Sequence, residues 1–344
     1  MQARFILSRK MVLKQYELLK KLGVKTSYSF KTNREVGKIL EEATDSEFSI
    51  HLLEETGMIK NKKRIWFFAQ AWSKKDIGEI TKKGVRKFVV DNEKDLQELL
   101  GFLAKSKITI DLALRMQFHE HRVSSGRYFA YGMPSSKVNG IISEIKDNPS
   151  ISRLGVHIHR KSQNTSEWEI KSELLDSLAS QSMKRINFVN LGGGLPVQYK
   201  SYTAEIMPYI FNKIKEAAAW LHEKGIEAYI EPGRFVAAPA VKLETGIIQI
   251  YSSVIVVNTS LYNCALDTLI TETKMLVENE LADYEKGEYY LIKGNSPTRD
   301  DIFRYKVKLK QLKVGDKIVF LNAGAYNYTT DFCGFRKLKT EIVD

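Results

Sequence analysis

A lysine directly follows a short apolar segment near the start of the chain. The stretch SYSFKTN places Lys31 where a predicted strand, residues 26–30, ends. Such a lysine can condense with an aldehyde to form a Schiff base if its surroundings lower its pKa. Taken alone, the pattern is more typical of a solvent-exposed lysine, so a catalytic role depends on the other motifs.

Three consecutive glycines, Gly192, Gly193 and Gly194, follow another apolar segment in FVNLGGGLP. Glycine has no Cβ, so backbone N–H groups can approach an anion closely, and it adopts the left-handed φ values that an anion-binding loop needs. The run predicts a phosphate-binding loop, with a flexible turn as the alternative.

A glutamate and an arginine lie just beyond a third apolar segment, in YIEPGRF. A carboxylate such as that of Glu231 can keep a pyridine nitrogen protonated, which makes the ring a strong electron sink. Arg234, three residues on, can contact a phosphate or fix the loop. The alternative interpretation is a surface turn closed by a salt bridge.

Two histidines alternate in GVHIHRKS, so the side chains of His157 and His159 point the same way from a strand. An imidazole inside a barrel could lie against a planar ring, and Ser162 could bond a phosphate. A metal site is not predicted, because no acidic third ligand lies at a suggestive spacing in the sequence.

The elements that must position these residues alternate between apolar segments and amphipathic helical stretches from residue 2 to about residue 236. That alternation is typical of βα units around a parallel sheet, and eight strands predict a (β/α)8 barrel over residues 1–235. Residues 236–344 are rich in β patterns and predict a smaller, mostly antiparallel β domain, with a helical segment at 261–285. The eight predicted barrel strands are 26–30, 48–50, 64–68, 87–91, 112–116, 153–159, 186–191 and 227–231.

The composition is that of a globular protein, with 43% hydrophobic residues and a formal net charge of +12. The lysines are spread through helical stretches such as KKDIGEITKKGVRK, which argues against a nucleic-acid partner. No apolar run reaches the roughly 20 residues of a membrane span, and no secretory signal is evident, so a cytoplasmic location is expected. Two cysteines, Cys264 and Cys333, are too few for a disulfide framework.

Taken in order, SYSFKTN, GVHIHRKS, NLGGGLP, EPGRF and NAGAYNYTTDFCGF resemble the motifs of the fold-type III decarboxylases, which depend on pyridoxal 5'-phosphate. These enzymes act on ornithine, arginine, diaminopimelate or carboxynorspermidine, and the resemblance covers nearly the whole chain. It implies an alanine-racemase-like fold, decarboxylation of an amino acid or a derivative of one, and a homodimer with shared active sites.

The resemblance also implies roles for individual residues. Lys31 would carry the cofactor as a Schiff base, His159 would stack on the pyridine face, and Glu231 would pair with the pyridine nitrogen. Arg115 falls near the cofactor ring, and Glu55 falls where the family has a glutamate after its FDVAS-like stretch. Ser49 replaces the aspartate of that stretch, and His51 replaces a small residue. The phosphate would be held by Ser162, Gly192, Gly193, Gly194, Arg234 and Tyr326.

The largest departure from the family lies in GNSPTRDDIF. Pro297 stands where the family has its proton-donating cysteine. Thr298 stands where the family has an acidic residue that binds the distal amine of the substrate. We therefore expect another proton donor and a substrate without a simple distal ammonium, such as a conjugated amino acid of a siderophore, antibiotic or polyamine side pathway. The candidate donors are Asp300, Asp301, Cys333, Tyr326 or water; Thr298, Asp300 and Asp301 are predicted to contact the substrate.

Two other functions stay open. Racemases of the same fold usually pair the pyridine nitrogen with an arginine, so Glu231 favours decarboxylation over racemisation. A non-catalytic homologue that acts as a regulator would explain the missing cysteine, but the presence of Lys31 and His159 opposes it. The segment before Lys31 is also shorter than is usual in the family, so the β-domain strand that it normally provides is expected to be absent or replaced.

Overall fold

The computed structural model describes residues 1–118 and 131–344, apart from the side chain of Cys333. The strands are β1 Arg4–Ser8, β2 Lys25–Ser29, β3 Glu47–Ile50, β4 Ile65–Ala69, β5 Lys87–Val90, β6 Ile110–Gln117, β7 Met133–Pro134, β8 Ile151–His157, β9 Phe188–Asn190, β10 Glu227–Ile230, β11 Val241–Tyr251, β12 Val254–Val257, β13 Leu276–Val277, β14 Glu288–Lys293, β15 Ile302–Leu309, β16 Lys317–Leu321 and β17 Lys339–Val343. The α-helices are α1 Arg9–Lys20, α2 Arg34–Ala43, α3 Lys74–Lys82, α4 Glu93–Leu103, α5 Ser135–Ile145, α6 Ile170–Ser177, α7 Ser180–Met183, α8 Met207–His222, α9 Arg234–Ala240, α10 Leu261–Cys264 and α11 Leu266–Thr271.

Eight parallel strands close into a barrel, in the order β5, β4, β3, β2, β10, β9, β8, β6, with β6 pairing back to β5. Helices connect most of them, whereas β3 and β4 are joined by two short 3-10 turns, Glu54–Met58 and Lys62–Arg64. The predicted (β/α)8 barrel is therefore confirmed. Because the strands are parallel, the motifs that follow them meet at the carboxyl-terminal face of the barrel, where active sites of this architecture lie.

A layer of aromatic side chains fills the barrel interior. Trp66, Phe188 and Tyr229 form a buried cluster with Val89 and Ala113, and the Trp66 and Phe188 ring centroids lie 5.1 Å apart. These residues are contributed by β4, β5, β6, β9 and β10. The interior of the barrel is thus a packed core rather than a pore, and only the face beyond it is open to a ligand.

Gly155 on β8 makes room for this layer. A Cβ at residue 155 would lie less than 3.0 Å from the ring and the carbonyl oxygen of Phe188. We expect Gly155→Ala to lower the free energy of unfolding by about 1–3 kcal/mol through overpacking, measured by urea denaturation. Gly140→Ala in α5 is the matched control, because its Cβ would meet no atom within 4 Å. Equal stabilities of the two variants would contradict the expectation.

The second sheet has the order β13, β16, β11, β12, β14, β15, and β1 extends it between β11 and β17. Its pairs are antiparallel except β1 with β17 and β12 with β14, so the predicted mostly antiparallel β domain is confirmed. The expectation that its N-terminal strand is absent or replaced is wrong, because Arg4–Ser8 supplies it. The predicted domain boundary between residues 235 and 236 stays a prediction. β1 precedes this boundary in the sequence but pairs with strands of the second sheet.

The segment 261–285 is less helical than predicted. Its helices are the short α10 and α11, its residues 276–277 form β13, and Glu272 ends α11 in a left-handed conformation with φ of +56°. Its polar side chains bond to other parts of the chain, as Asn263 does to the Arg336 carbonyl. Among the described helices, none has the length and apolar character needed to cross a membrane.

Candidate active site

A cavity of about 660 Å³ opens at the carboxyl-terminal face of the barrel. It is lined by residues at or just beyond the carboxyl ends of the barrel strands, together with Tyr326 from the loop that follows β16 of the second sheet. Nine of the residues predicted for the site line it: Lys31, Arg115, His159, Ser162, Gly193, Gly194, Glu231, Arg234 and Tyr326.

Lys31 lies in a 3-10 turn, Phe30–Thr32, between β2 and α2. Asn33 caps α2 through its side-chain oxygen, and its amide donates to the Gly324 carbonyl at 2.9 Å. The Tyr326 N–H donates to the Thr32 carbonyl at 3.0 Å, so the loop from the second sheet is fixed to the lysine turn. Burial among protein atoms lowers the pKa of Lys31, which favours the neutral amine that a carbonyl compound requires.

The Glu231 carboxylate is buried just beyond β10 and is held by two side chains. His157 Nε2 lies 2.9 Å from Oε2, and the Ser49 hydroxyl donates to Oε1. Burial alone would raise the pKa of Glu231, but the charge of His157 and the hydrogen bonds from His157 and Ser49 outweigh it and lower the pKa to about 2. Glu231 is therefore a fixed negative charge at the floor of the cavity.

His159 presents its ring to the cavity, although protein atoms surround it. The ring is parallel to that of His157, with centroids 6.3 Å apart, and its Nδ1 lies 3.5 Å from the Gly193 N–H. The surrounding protein and the charge of Arg115 lower the pKa of His159 to about 3. A neutral ring with one open face suits stacking against a planar ligand.

The glycine run passes very close to neighbouring backbone. A Cβ on Gly193 would lie 2.7 Å from the Glu231 carbonyl oxygen, and Gly192 and Gly194 have φ of +70° and +97°. Gly192 packs against the Ile158 carbonyl and does not line the cavity. The N–H of Gly194 makes no hydrogen bond within the part of the chain that the structure describes. The run therefore has the conformation and the free donor of an anion-binding loop.

Arg234 lines the cavity, but most of its hydrogen bonds are made to residues that do not line it. Its guanidinium makes a bidentate ion pair with buried Asp267, at 2.5 and 3.0 Å, and donates to the Tyr199 hydroxyl. Its Nε donates to Ser162 Oγ at 3.2 Å. The geometry thus makes Arg234 a support for Ser162. Asp267 and Tyr199 were not predicted as site residues, because both are far from the EPGRF motif along the chain.

Arg115 pairs with Asp91 at 2.8 Å, and both residues line the cavity. Its guanidinium also lies over the Tyr131 ring at 5.1 Å. Asp91 was not predicted as a site residue, although it is the first residue after β5 and Lys31 is the second after β2. That position at the end of a barrel strand could have identified it.

Glu55 does not line the cavity. Its buried carboxylate accepts hydrogen bonds from the backbone N–H groups of His51 and Leu52, so it holds the turn after β3. Glu55, noted in the sequence only for its position after the FDVAS-like stretch, thus supports the turn that carries His51.

Asp301 lies in the loop between β14 and β15 of the second sheet. It is fully buried and does not line the cavity. Its carboxylate accepts from the Leu261 N–H at 2.8 Å and from the Ser296 N–H and hydroxyl. Thr298 and Asp300 are exposed on the surface and do not line the cavity. The Cys333 side chain lies outside the described part of the structure.

No acidic residue lies at a ligand spacing from the two histidines in the sequence, but the fold brings one close to them. Ligand atoms of His157, His159 and Glu231 all lie within 4.8 Å of one another. Glu231 is distant in sequence but ends β10, two strands from the end of β8 in the closed barrel.

His51 has a ring without a hydrogen-bond partner among the described residues. The ring lines the cavity and stacks on Phe68, with centroids 5.0 Å apart, and its Nδ1 is buried. Burial and the charge of Lys31 lower the pKa of His51 to about 4.

The lowered pKa of His51 predicts an acid-dependent loss of stability. The unfolded chain binds the His51 proton near the ordinary pKa of 6.5 and the folded chain only near 4, so stability falls as pH falls between these values. We expect the decrease in Tm between about pH 7 and pH 5 to be smaller in His51→Gln than in the parent chain, by thermal denaturation. His222→Gln, at an exposed residue, is the control; an unchanged pH dependence in His51→Gln would contradict the expectation.

The family model for the pyridoxal-dependent decarboxylase, pyridoxal binding domain, matches residues 17–238. This match spans more than half of the chain and includes the barrel motifs from Lys31 to Arg234. The chain belongs to the pyridoxal-dependent decarboxylase family. Its cofactor is pyridoxal 5'-phosphate, and it is a carboxy-lyase for an amino acid or an amino-acid-derived substrate.

Individual relatives are distant. The carboxynorspermidine/carboxyspermidine decarboxylase of Campylobacter jejuni is 24% identical, with 82% of this chain and 75% of that protein covered. Antizyme inhibitor 2 of Xenopus laevis is 24% identical, with 95% and 77% covered. The lysine/ornithine decarboxylase structure from Vibrio vulnificus, complexed with putrescine, is 20% identical and superposes with a TM-score of 0.79, with 99% of this chain and 94% of that chain covered.

The residues of this pyridoxal-dependent decarboxylase fit its cofactor. The cavity has a lysine with a lowered pKa, a buried ionised carboxylate, an open imidazole face and a glycine loop beside Ser162. Side chains on Gly192 or Gly193 would collide with backbone, so the close approach of the loop depends on glycine. These are the groups that an amine-reactive, anionic pyridine aldehyde requires.

Proposed function

We propose that the barrel cavity is the active site and that Lys31 is the residue that carries the cofactor. The observation that carries this proposal is that one cavity is lined by both Lys31, whose pKa is lowered, and the buried carboxylate of Glu231. Pyridoxal phosphate, when bound, supplies the electron sink that accepts the electron pair of the broken Cα–carboxylate bond.

The other side chains bind and orient. Glu231 would hold a proton on the pyridine nitrogen, because its carboxylate is kept ionised by Ser49 and His157. His159 would cover one face of the ring and exclude water from it. Ser162 and the Gly194 N–H would hold the phosphate, and Arg234 would keep Ser162 in place.

Tyr326 is the proposed proton donor within one protomer. Pro297 has no proton to give, and the Asp301 carboxylate is already taken up by Ser296 and Leu261. Of the candidate donors whose side chains the structure describes, Tyr326 alone lines the cavity. We expect Tyr326→Phe to lower kcat by about 10²–10⁴-fold. An unchanged kcat would point to water or a partner residue.

We further propose a homodimer in which residues 295–300 reach a neighbouring barrel. Apart from Ser296 this segment is exposed and lies outside the cavity of its own barrel, as expected if it completes the site of a partner. With two-fold symmetry, each protomer would contribute this segment to the barrel of the other. Light scattering at micromolar concentration tests it, and an active monomer would contradict it.

The proposed substrate lacks a simple distal ammonium. Thr298 offers a hydroxyl bonded to Ser296 where the resembling enzymes have an acid, so an ammonium would find no carboxylate at this residue. Release of CO₂ should be compared for ornithine, lysine, arginine, diaminopimelate and carboxynorspermidine. Ordinary turnover of free ornithine, lysine or arginine would refute this part of the proposal.

The first test of the cofactor assignment is borohydride reduction after incubation with pyridoxal phosphate, followed by peptide mass mapping. A pyridoxyl adduct on Lys31 is expected. No adduct, together with no visible-absorbing cofactor, would instead favour a non-catalytic regulator, the alternative to which the similarity to antizyme inhibitor 2 adds weight.

A further inference from the structure

Two histidines and one glutamate converge at the floor of the cavity. His157 Nε2 lies 2.9 Å from Glu231 Oε2, and a ring nitrogen of His159 completes a set of ligand atoms that lie within 4.8 Å of one another. Two imidazoles and one carboxylate, with a fourth position open to solvent, form a donor set that proteins use for Zn²⁺. In this chain the fourth position would face the cavity.

Groups behind the ligand set fix its orientation. The Ser49 hydroxyl donates to Glu231 Oε1, and Ser49 Oγ is itself bonded to Ser27 Oγ at 2.8 Å. The Gly193 N–H faces His159 Nδ1 at 3.5 Å. Outer hydrogen bonds of this kind orient metal ligands and raise affinity.

The set needs only side-chain movement to hold an ion. A tetrahedral ion with bonds of about 2.1 Å requires ligand atoms about 3.4 Å apart. Separations that approach the 4.8 Å limit of the set must therefore shorten, and the 2.9 Å contact of His157 with Glu231 must lengthen slightly. His159 can supply most of this movement, because its side chain is exposed, whereas those of His157 and Glu231 are buried.

We propose that the cofactor-free chain binds one divalent transition-metal ion through His157, His159 and Glu231, and that this ion and the cofactor exclude each other. The exclusion rests on the proposed function, in which Glu231 and His159 contact the pyridine ring. Imidazole ligands select Zn²⁺, Cu²⁺ or Co²⁺ over Mg²⁺ and Ca²⁺, which prefer oxygen ligands. Metal would thus delay loading of the enzyme, and cofactor would protect it from metal.

The test titrates Co²⁺ into the full-length, cofactor-free chain and follows the visible absorption of the bound ion, with Zn²⁺ as competitor. One bound ion is expected, with no effect of Mg²⁺. His159→Gln should weaken binding more than about a hundredfold, and Ser49→Ala about tenfold, because the first removes a ligand and the second only its support. His51→Gln, which removes a cavity histidine outside the set, is the matched control and should bind as the parent does.

Circular dichroism confirms that each variant is folded, and His159→Gln is the primary variant because its side chain is open to the cavity. No Co²⁺ binding, or equal binding by the parent and His159→Gln, would overturn the site. Equal binding by the borohydride-reduced, pyridoxyl-bearing chain would overturn the exclusion. Co²⁺ binding by a chain that forms no adduct on Lys31 would support the metal site and refute the proposed function, so the two failures are distinguishable.

Discussion

A chain in which Lys31 is replaced by alanine is expected to fold normally and to release CO₂ at least about a thousandfold more slowly than the parent. The Lys31 side chain faces the cavity and makes no hydrogen bond among the described residues, so its removal leaves no hydrogen-bond partner unsatisfied. Unfolding free energy should therefore change by less than about 0.5 kcal/mol. The loss of rate follows because no other amine takes the place of Lys31 at the end of β2. Both quantities are accessible, from a direct CO₂ assay and from urea denaturation.

Lys161 provides the matched control for Lys31. It also lines the cavity, but it follows β8 and lies beside the glycine loop rather than opposite Glu231. In Lys161→Ala the pyridoxyl adduct should still form on Lys31, whereas in Lys31→Ala the adduct should disappear. An adduct that moved to Lys161 or persisted without Lys31 would show that the cofactor lysine is misassigned.

The barrel was predictable because its signals are local. Most barrel strands are short apolar runs between helical stretches, and all eight lie within two residues of their predicted positions. In a parallel barrel the ends of the strands share one face, so motifs after the strands could be placed in one site before any contact was known. This is why Lys31, His159 and Glu231 were found together.

The contacts that tune the site could not be predicted, because they join residues that are distant in sequence. Ser49 and His157 hold Glu231 across 182 and 74 residues, and Asp267 meets Arg234 from a segment predicted to be helical. Asp301 was proposed as an acid because it is charged and lies near the altered GNSPTRDDIF motif. Its burial and its three hydrogen bonds to Leu261 and Ser296 depend on how the loop folds back on α10.

Glu231→Gln is expected to lower kcat by about 10²–10⁴-fold and to change the visible absorption of the bound cofactor. An uncharged amide cannot stabilise a protonated pyridine nitrogen, so the ring would accept electrons less readily. The substitution removes the negative charge and leaves one acceptor oxygen where Ser49 and His157 now meet two, without changing the size of the side chain. Glu167→Gln is the control, because Glu167 also lines the cavity but bonds to Asn164. An equal loss of kcat in both variants would show that Glu231 has no special role.

The pH dependence of Glu231→Gln separates the charge of this residue from its packing. In the folded chain the pKa of Glu231 is lowered from 4.5 to about 2, so the unfolded chain binds the proton first as pH falls. The ionised carboxylate therefore stabilises the fold above about pH 4.5, and this contribution is lost as pH falls toward 2. We expect the stability difference between the parent and Glu231→Gln to be largest near neutral pH and to shrink below about pH 4.5, in urea denaturation at a series of pH values. A difference that stayed constant with pH would mean that the carboxylate contributes only through its shape, and the fixed negative charge on which the decarboxylation chemistry depends would have to come from elsewhere.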